Sequence, residues 1–171
     1  GQTFARVQVP PRVIVLAPNH TGRGQRVSVL PAGVFRVPTA DVPINDDLVT
    51  ALLNALPSAE SDVAAHEYEH AAEVEVPFLF ARRADVEIAA VVLGHLSLAD
   101  ALALGQGLAD VVAETGALVV ASSDMNHYLP DELTRARDKI ALAPLLALDP
   151  AGLYRTVERD ELTMCGYIPT T

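Results

Sequence analysis

The sequence predicts an α/β fold in which a mostly parallel or mixed central sheet carries helices on both faces. Short apolar runs rich in β-branched residues, at Val13–Leu16, Val86–Leu93 and Ala117–Ala121, are typical of buried strands. Segments with helical periodicity separate these runs, which is the pattern of a three-layer α/β sandwich. The chain has 171 residues, 50% of them hydrophobic, and this is enough for one domain with its own core.

The first predicted strand, Val13–Leu16, ends in a polar turn that carries His20. Val27–Leu30 is a weaker strand candidate. Little regular structure is expected after it, because three prolines follow and proline cannot donate a hydrogen bond to a sheet. These prolines are Pro31, Pro38 and Pro43.

A helix is expected next, with Asn45 or Asp46 as its N-cap and Pro57 at its end. A polar loop follows at Ser58–Asp62. The stretch from Ala65 to Arg83 is ambiguous, because it contains both a short alternating run typical of a strand and glutamates that suit a helix with a proline kink. We favour the helix.

The second half of the chain alternates strands and helices more regularly. A capping box, Ser97-Leu98-Ala99-Asp100, predicts the start of one helix, and Pro144 should bend or split a later one. The expected elements are a strand at Val86–Leu93, a helix from Ser97 to about Glu114, a strand at Ala117–Ala121, a helix from Pro130 and a helix at Pro150–Arg159.

The charge balance excludes several classes of partner. The chain carries 12 Lys and Arg against 22 Asp and Glu, a net charge of −10. Phosphate backbones and anionic lipids are bound by basic surfaces, so we expect neither nucleic acid nor a membrane as a partner. No apolar run reaches the roughly 18 residues of a spanning helix.

Cys165 is the only cysteine, so no internal disulfide can form, and a reducing compartment is expected. The first residues lack the basic and apolar layout of a signal peptide. These observations favour a cytoplasmic protein, and the apolar content is compatible with a homodimer.

Polar residues follow two of the predicted strands where each strand ends. His20 follows the first strand, and the segment Ser122–His127 follows Ala117–Ala121. Because the carboxyl ends of parallel strands share one edge of a sheet, where ligands collect, we expect these two loops to lie on one rim. A surface-loop histidine without a role is the alternative for His20.

The other candidate groups are weaker by themselves. His66 and His70 are spaced so that a helix would put them on one face, where they could bind a metal together. Cys165 is a candidate thiolate ligand, although a lone cysteine is more often a small buried apolar side chain. A serine hydrolase using Ser122 or Ser123 is disfavoured, because no Gly-x-Ser-x-Gly elbow surrounds either residue.

Four segments taken together resemble the Memo family, and most closely the AmmeMemoRadiSam system protein B type of bacteria and archaea. The segments are Pro18-Asn19-His20, the stretch Ala65–Leu79 with its Glu-His-x-x-Glu-x-x-x-Pro-Phe-like block, Ser122-Ser123-Asp124-Met125-Asn126-His127-Tyr128, and Cys165-Gly166. They occur in the family's order and span nearly the whole chain.

The resemblance implies a fold like that of the class III extradiol dioxygenases of the LigB type, which hold non-haem iron with two histidines and a carboxylate. It implies metal binding by His20, His70 and Cys165. Asp124 and His127 would line the same pocket, with His127 as the acid/base residue. His66 would be a neighbour of the ligands rather than a ligand.

A thiolate at Cys165 stands where the extradiol enzymes use a carboxylate. This softer, more oxidisable ligand favours copper or a thiolate-bound iron and counts against ring-cleaving oxygenation. One hypothesis is therefore a metal-dependent oxidoreductase with a dioxygenase-like pocket. The other is a non-catalytic module that binds a small molecule, a peptide or a partner protein, with radical-SAM and AMMECR-type proteins as the partners that the family name implies.

The resemblance also concerns the two ends of the chain. The family has a His-Ala-Gly-Tyr-type segment before the first strand and continues well past Cys165-Gly166. We therefore expect residues 1–171 to form a single Memo-like domain that lacks family segments at both ends.

Overall fold

A mixed β-sheet forms the centre of the computed structural model, which describes residues 2–171. The strands in this range are β1 (Arg12–Pro18), β2 (Val27–Val29), β3 (Val34–Val37), β4 (Ala40–Pro43), β5 (Glu60–Ser61), β6 (Glu87–Leu93) and β7 (Leu118–Ala121). Five of them pair in the order β5-β2-β6-β1-β7, while β3 and β4 form a separate hairpin. β1 is parallel to β6 and β7, whereas β2 is antiparallel to β6.

Helices cover this sheet. They are α1 (Gln2–Ala5), α2 (Asp46–Ala55), α3 (Val76–Arg82), α4 (Leu98–Thr115), α5 (Asp131–Leu146), α6 (Pro150–Arg159) and α7 (Tyr167–Thr170). α4 packs between α2 and α6, α7 contacts β1, and α3 contacts α1 and β3. The predicted three-layer α/β fold with a mixed sheet is confirmed. Within residues 2–171, no helix has both the length and the apolar character needed to cross a bilayer.

The two central strands owe their position to continuous burial. Val13, Ile14 and Val15 of β1 and the run Ile88–Val92 of β6 are fully buried. Parallel strands covered on both faces need such unbroken β-branched and aliphatic runs. Because the paired register runs from Arg12 with Glu87 to Pro18 with Leu93, the two strands end level with each other.

Both capping predictions are confirmed. The Asn45 side chain accepts a hydrogen bond from the backbone N–H of Leu48 at 2.8 Å and so begins α2. The Ser97 hydroxyl accepts the N–H of Asp100 at 3.1 Å and begins α4. These side chains satisfy amide groups that the first turn of a helix leaves without a partner.

The stretch after β2 is more regular than the sequence predicts. β3 and β4 form an antiparallel hairpin that places Val34 opposite Pro43 and Val37 opposite Ala40. The prolines are tolerated because Pro38 lies in the turn and Pro43 ends an edge strand, where a missing N–H costs little.

The predicted helix over Ala65–Arg83 is wrong in its first half. Turns precede a 3-10 helix at Glu73–Glu75, and α3 begins only at Val76. Pro77 lies in the first turn of α3, where its lack of an N–H has no cost, so it starts the helix rather than kinking it. His66 and His70 therefore do not share a helical face.

Pro144 lies inside α5, which continues to Leu146. The proline therefore does not split the helix. A proline removes one helical hydrogen bond and crowds the carbonyl in the preceding turn. Because Pro144 lies in the last turn of α5, only two helical residues follow it, so the disruption is small.

Candidate metal centre

The end of β1 and the end of β7 bring the two chemically equipped loops to one rim. β1 and β7 are parallel neighbours, with Leu16 paired to Ala121. The N–H of Ser122 donates to the carbonyl of Leu16 at 2.8 Å, and the N–H of Asn19 donates to Leu93 of β6 at 2.9 Å. The segments that carry His20 and His127 therefore leave from the same edge of the sheet.

Glu69 organises the first group of polar side chains. Its side chain is only 1% exposed. Its Oε2 accepts the backbone N–H of His20 at 2.6 Å, and its Oε1 accepts the Nδ1–H of the His20 ring at 2.9 Å. The same Oε1 accepts the backbone N–H groups of His70 at 2.9 Å and Ala71 at 3.0 Å.

These bonds also explain why the chain does not form a helix at this point. In a helix, the N–H groups of His70 and Ala71 would donate to backbone carbonyls one turn earlier. In this loop they donate to the Glu69 carboxylate instead. A buried carboxylate thus replaces the helical bonding pattern.

The pKa of Glu69 is lowered despite its burial. Burial by itself raises the pKa of a carboxyl group, but the hydrogen bonds from His20 and Ala71 and the charge interaction with His20 outweigh it. Glu69 is therefore ionised at neutral pH. An ionised carboxylate only accepts hydrogen bonds, so the His20 ring must carry a hydrogen on Nδ1.

His20 and His70 form a stacked pair above Glu69. Their ring centroids lie 5.0 Å apart with an interplanar angle of 19°. The Nδ1 atom of His70 is 3.4 Å from Glu69 Oε1, and the side chains of His20 and His70 are 37% and 69% exposed. Holding Nδ1 of a histidine with a carboxylate leaves Nε2 with the lone pair that a metal needs.

His66 has a different environment from the stacked pair. Its Nε2 lies 3.3 Å from the carbonyl oxygen of Ser28, which can only accept, so this nitrogen carries the hydrogen. Burial lowers the pKa of His66 and keeps the ring neutral. The side chain therefore anchors its turn to β2.

Asp124, His127 and Cys165 form a second group. The His127 ring donates its Nδ1–H to the carbonyl oxygen of Thr163 at 2.6 Å, and its Nε2 lies 3.6 Å from Asp124 Oδ2. The Cys165 sulfur, a free thiol, accepts the backbone N–H of Asp124 at 3.2 Å. Two segments distant in the sequence meet in this group.

Gly166 allows this close approach. Its N–H donates to the Ser123 hydroxyl at 3.0 Å. A Cβ atom at this position would lie 2.5 Å from Ser123 Cβ and 2.7 Å from Ser123 Cα, and it would also collide with the Ser122 carbonyl oxygen. Only glycine lets the two segments pack at this distance.

Ser122 links the loop of the second group to the 3-10 helix Glu73–Glu75, which follows the first group in the sequence. Its buried hydroxyl donates to Glu75 Oε1 at 3.0 Å. Ser123 donates its hydroxyl hydrogen to the Asp124 carbonyl at 2.8 Å. Both serine hydroxyls thus serve oxygen acceptors rather than a histidine base, an arrangement unlike the nucleophile of a serine hydrolase.

The ligand atoms of each group lie within a few tenths of an ångström of the spacing found around one metal ion. Ligand atoms bonded to the same ion at about 2.0–2.3 Å lie within roughly 4.6 Å of each other. In the part of the chain that the structure describes, the ligand atoms of His20, Glu69 and His70 lie within 4.8 Å of one another, and so do those of Asp124, His127 and Cys165. His20 and His70 are thus together, whereas Cys165 is grouped with Asp124 and His127. Its role as their third ligand stays a prediction.

Glu69 and Thr163 also contribute to these groups, and the sequence does not predict either of them there. Glu69 is separated from His20 by 49 positions, and Thr163 is separated from His127 by 36, so only the fold brings each pair together. The one local signal was an acidic residue next to His70 in a stretch already suspected of binding metal.

Comparison with known proteins agrees with this arrangement of motifs. The family model described as Memo-like protein matches residues 1–171. A MEMO1 family protein of Aquifex aeolicus is 36% identical over 98% of this chain and 63% of its own length, and one of Thermotoga maritima is 38% identical over 92% and 57%. One of Pyrobaculum arsenaticum is 34% identical over 94% and 58%. The chain spans about three fifths of the length of these curated relatives. From the match over its whole length, the chain belongs to the Memo family.

Proposed function

We propose that this protein binds one iron or copper ion at the rim of the sheet, through His20, His70 and Cys165. The observation that carries the proposal is the buried Glu69 carboxylate, which holds His20 by its Nδ1 atom beneath the stacked ring of His70. Carboxylate–histidine pairs of this kind orient the imidazole and raise its basicity toward a metal.

The donor set suits these metals. Two imidazole nitrogens and a thiolate are ligands that late first-row metals favour over oxygen donors. Cys165 is half-buried, and its sulfur contacts the backbone N–H of Asp124 in the loop that follows β7. A bound iron or copper ion would supply redox chemistry, which makes a dioxygenase-like oxidoreductase the favoured activity.

His127 and Asp124 would move protons in such a reaction. The Thr163 carbonyl holds the hydrogen on Nδ1 of His127, so Nε2 is the atom that gains or loses a proton. Asp124 lies 3.6 Å from this atom and would stabilise the charged imidazolium. A histidine positioned beside a reacting group is a common general acid or base in enzymes.

The metal assignment predicts a specific pattern of metal loss. We expect the protein purified without oxygen to hold close to one iron or copper ion per chain by elemental analysis. His20→Ala and His70→Ala should lose most of it, because each removes a nitrogen donor, and Cys165→Ser should reduce it. His95→Ala, a change of an exposed rim histidine outside both groups, should retain full content.

Three results would contradict this assignment in different ways. Full metal content in His70→Ala would exclude the stacked pair as ligands. Metal that is lost in Cys165→Ser and His127→Ala but retained in His20→Ala would place the ion in the second group. A protein that cannot be loaded at all would leave the binding-module function as the better candidate.

That second candidate function is a non-catalytic module for a peptide or a partner protein, with radical-SAM and AMMECR-type proteins as candidates in an AmmeMemoRadiSam system in the cytoplasm. It is favoured by exposed apolar side chains after the second group, at Tyr128, Leu129, Leu133 and Ile140. Exposed apolar patches often mark interaction surfaces. Light scattering would distinguish a homodimer, in which a second copy could cover these side chains, from a monomer, in which they stay free to bind another protein.

A further inference from the structure

Arg23 and Tyr68 form a second contact between the two segments that carry His20 and His70. The guanidinium carbon of Arg23 lies 4.5 Å from the centroid of the Tyr68 ring. Arg23 shares a loop with His20, and Tyr68 precedes Glu69 directly. The pair therefore joins the same two segments as the stacked histidines, and both of its side chains are exposed.

The backbone of Arg23 is held in place by its own loop. The Asn19 side chain donates to the carbonyl oxygen of Arg23 at 2.8 Å, and the Thr21 hydroxyl accepts the N–H of Arg23 at 3.1 Å. Asn19 also accepts the hydroxyl hydrogen of Thr21 and the N–H of Gly22, at 3.0 and 2.8 Å. Arg23 thus extends from an ordered turn.

The guanidinium of Arg23 has no carboxylate partner among residues 2–171. About half of the arginines in this range share this property with Arg23. Other arginines of the chain do pair, as Arg36 does with Asp41 and Arg159 with Asp160. Stacking on an aromatic face uses the plane of a guanidinium and leaves its edge N–H groups free to donate.

We propose that Arg23, held on Tyr68, recognises the carboxylate of a small organic acid that binds at the rim. A carboxylate matches the forked donors of a guanidinium, which bind it in a bidentate manner. This inference rests on the proposed metal centre in one respect: the rest of the acid would reach His20 and His70. A metal cation beside the cationic Arg23 would further favour an anionic ligand.

Fluorine NMR titration with para-fluorobenzoate tests this proposal. The probe is added to metal-free protein and to zinc-loaded protein, with the neutral para-fluorobenzamide as the comparison. We expect benzoate to bind the metal-free protein more tightly than benzamide does, because Arg23 itself needs no metal. Arg23→Gln should weaken benzoate binding about tenfold, the loss expected for a charged hydrogen-bonded pair.

Further variants separate recognition from general charge. Arg23→Lys should recover only part of the affinity, since an ammonium lacks the fork, and Tyr68→Leu should weaken binding by releasing the guanidinium. Arg82→Gln, which removes the same charge from an exposed position on α3, should have no effect.

The outcomes also separate this proposal from the metal assignment. Benzoate binding to metal-free protein that depends on Arg23 would support the recognition element even if zinc is never bound. Tighter binding after zinc loading, lost in His20→Ala, would show that the two elements act on one ligand. Equal benzoate affinity in Arg23→Gln and in the unchanged protein, or equal binding of benzamide, would overturn the proposal.

Discussion

Gly166→Ala is expected to separate the two segments that form the second group and to destabilise the protein by about 2–3 kcal/mol, as overpacking of a tightly packed site does. The added Cβ would meet backbone and Cβ atoms of Ser122 and Ser123, which cannot rotate away. The contact between the Asp124 N–H and the Cys165 sulfur should be lost with it. Chemical denaturation measures the loss of stability. The rate of thiol alkylation at Cys165 measures the loss of its contact with Asp124.

Gly105→Ala is the matched control. Gly105 lies inside α4, and apart from its chain neighbours and the backbone of its own helix no atom lies within 4 Å of the position of its added Cβ. Because glycine is a poor helix former, this change should be neutral or stabilise the protein by up to about 1 kcal/mol. If Gly166→Ala behaves like Gly105→Ala, the close packing at Gly166 is not a constraint on the site.

Glu69→Gln is expected to damage both stability and metal affinity. The amide group of glutamine would face a backbone N–H that now donates to a carboxylate oxygen, which leaves a buried donor without an acceptor. This should cost about 2 kcal/mol of the free energy of unfolding. Loss of the carboxylate from Nδ1 of His20 should weaken metal binding roughly 10–100-fold, as for other partners of metal-bound histidines.

The stability effect should also depend on pH in the metal-free protein. The pKa of Glu69 is lowered by folding, so its ionised form contributes its full stability above the ordinary value of 4.5 and loses it as the pH falls through the lowered pKa. The difference between the unchanged protein and Glu69→Gln should therefore be largest near neutral pH. It should shrink in acid, and urea denaturation over a pH series would measure it.

Glu67→Gln is the matched control. It removes the same charge from an exposed side chain two positions earlier in the sequence. We expect it to change neither stability nor metal content by more than surface substitutions usually do. A pH-independent difference for Glu69→Gln, or metal affinity that falls equally in both variants, would argue against Glu69 as the organiser of the stacked histidines.

The regular elements of this fold were largely predictable because local signals specify them. Long buried strands such as β6 need unbroken aliphatic runs. The helix α4 begins after a capping serine and ends at Gly116, which adopts the left-handed conformation. The segment around His70 was not predictable in this way. Its geometry depends on the Glu69 carboxylate, which satisfies backbone groups on a loop from a distant part of the chain.

The motifs of the site were readable in the sequence, but their grouping was not. The surrounding motifs predict His20, His70, Asp124, His127 and Cys165 as site residues, and that assignment stays a prediction. Only the tertiary structure pairs His20 with Glu69 and His70, and Cys165 with Asp124 and His127.

The sequence alone thus determined the α/β class, the strand ends that form the rim, and the types of ligand available there. Periodicity, capping and hydrophobic runs are local properties, and they suffice for those features. Only the tertiary structure decided that a carboxylate holds Nδ1 of His20, that a backbone carbonyl holds Nδ1 of His127, and how Gly166 brings Cys165 against Asp124. These features depend on contacts between residues far apart in the chain, and no local pattern encodes their distances.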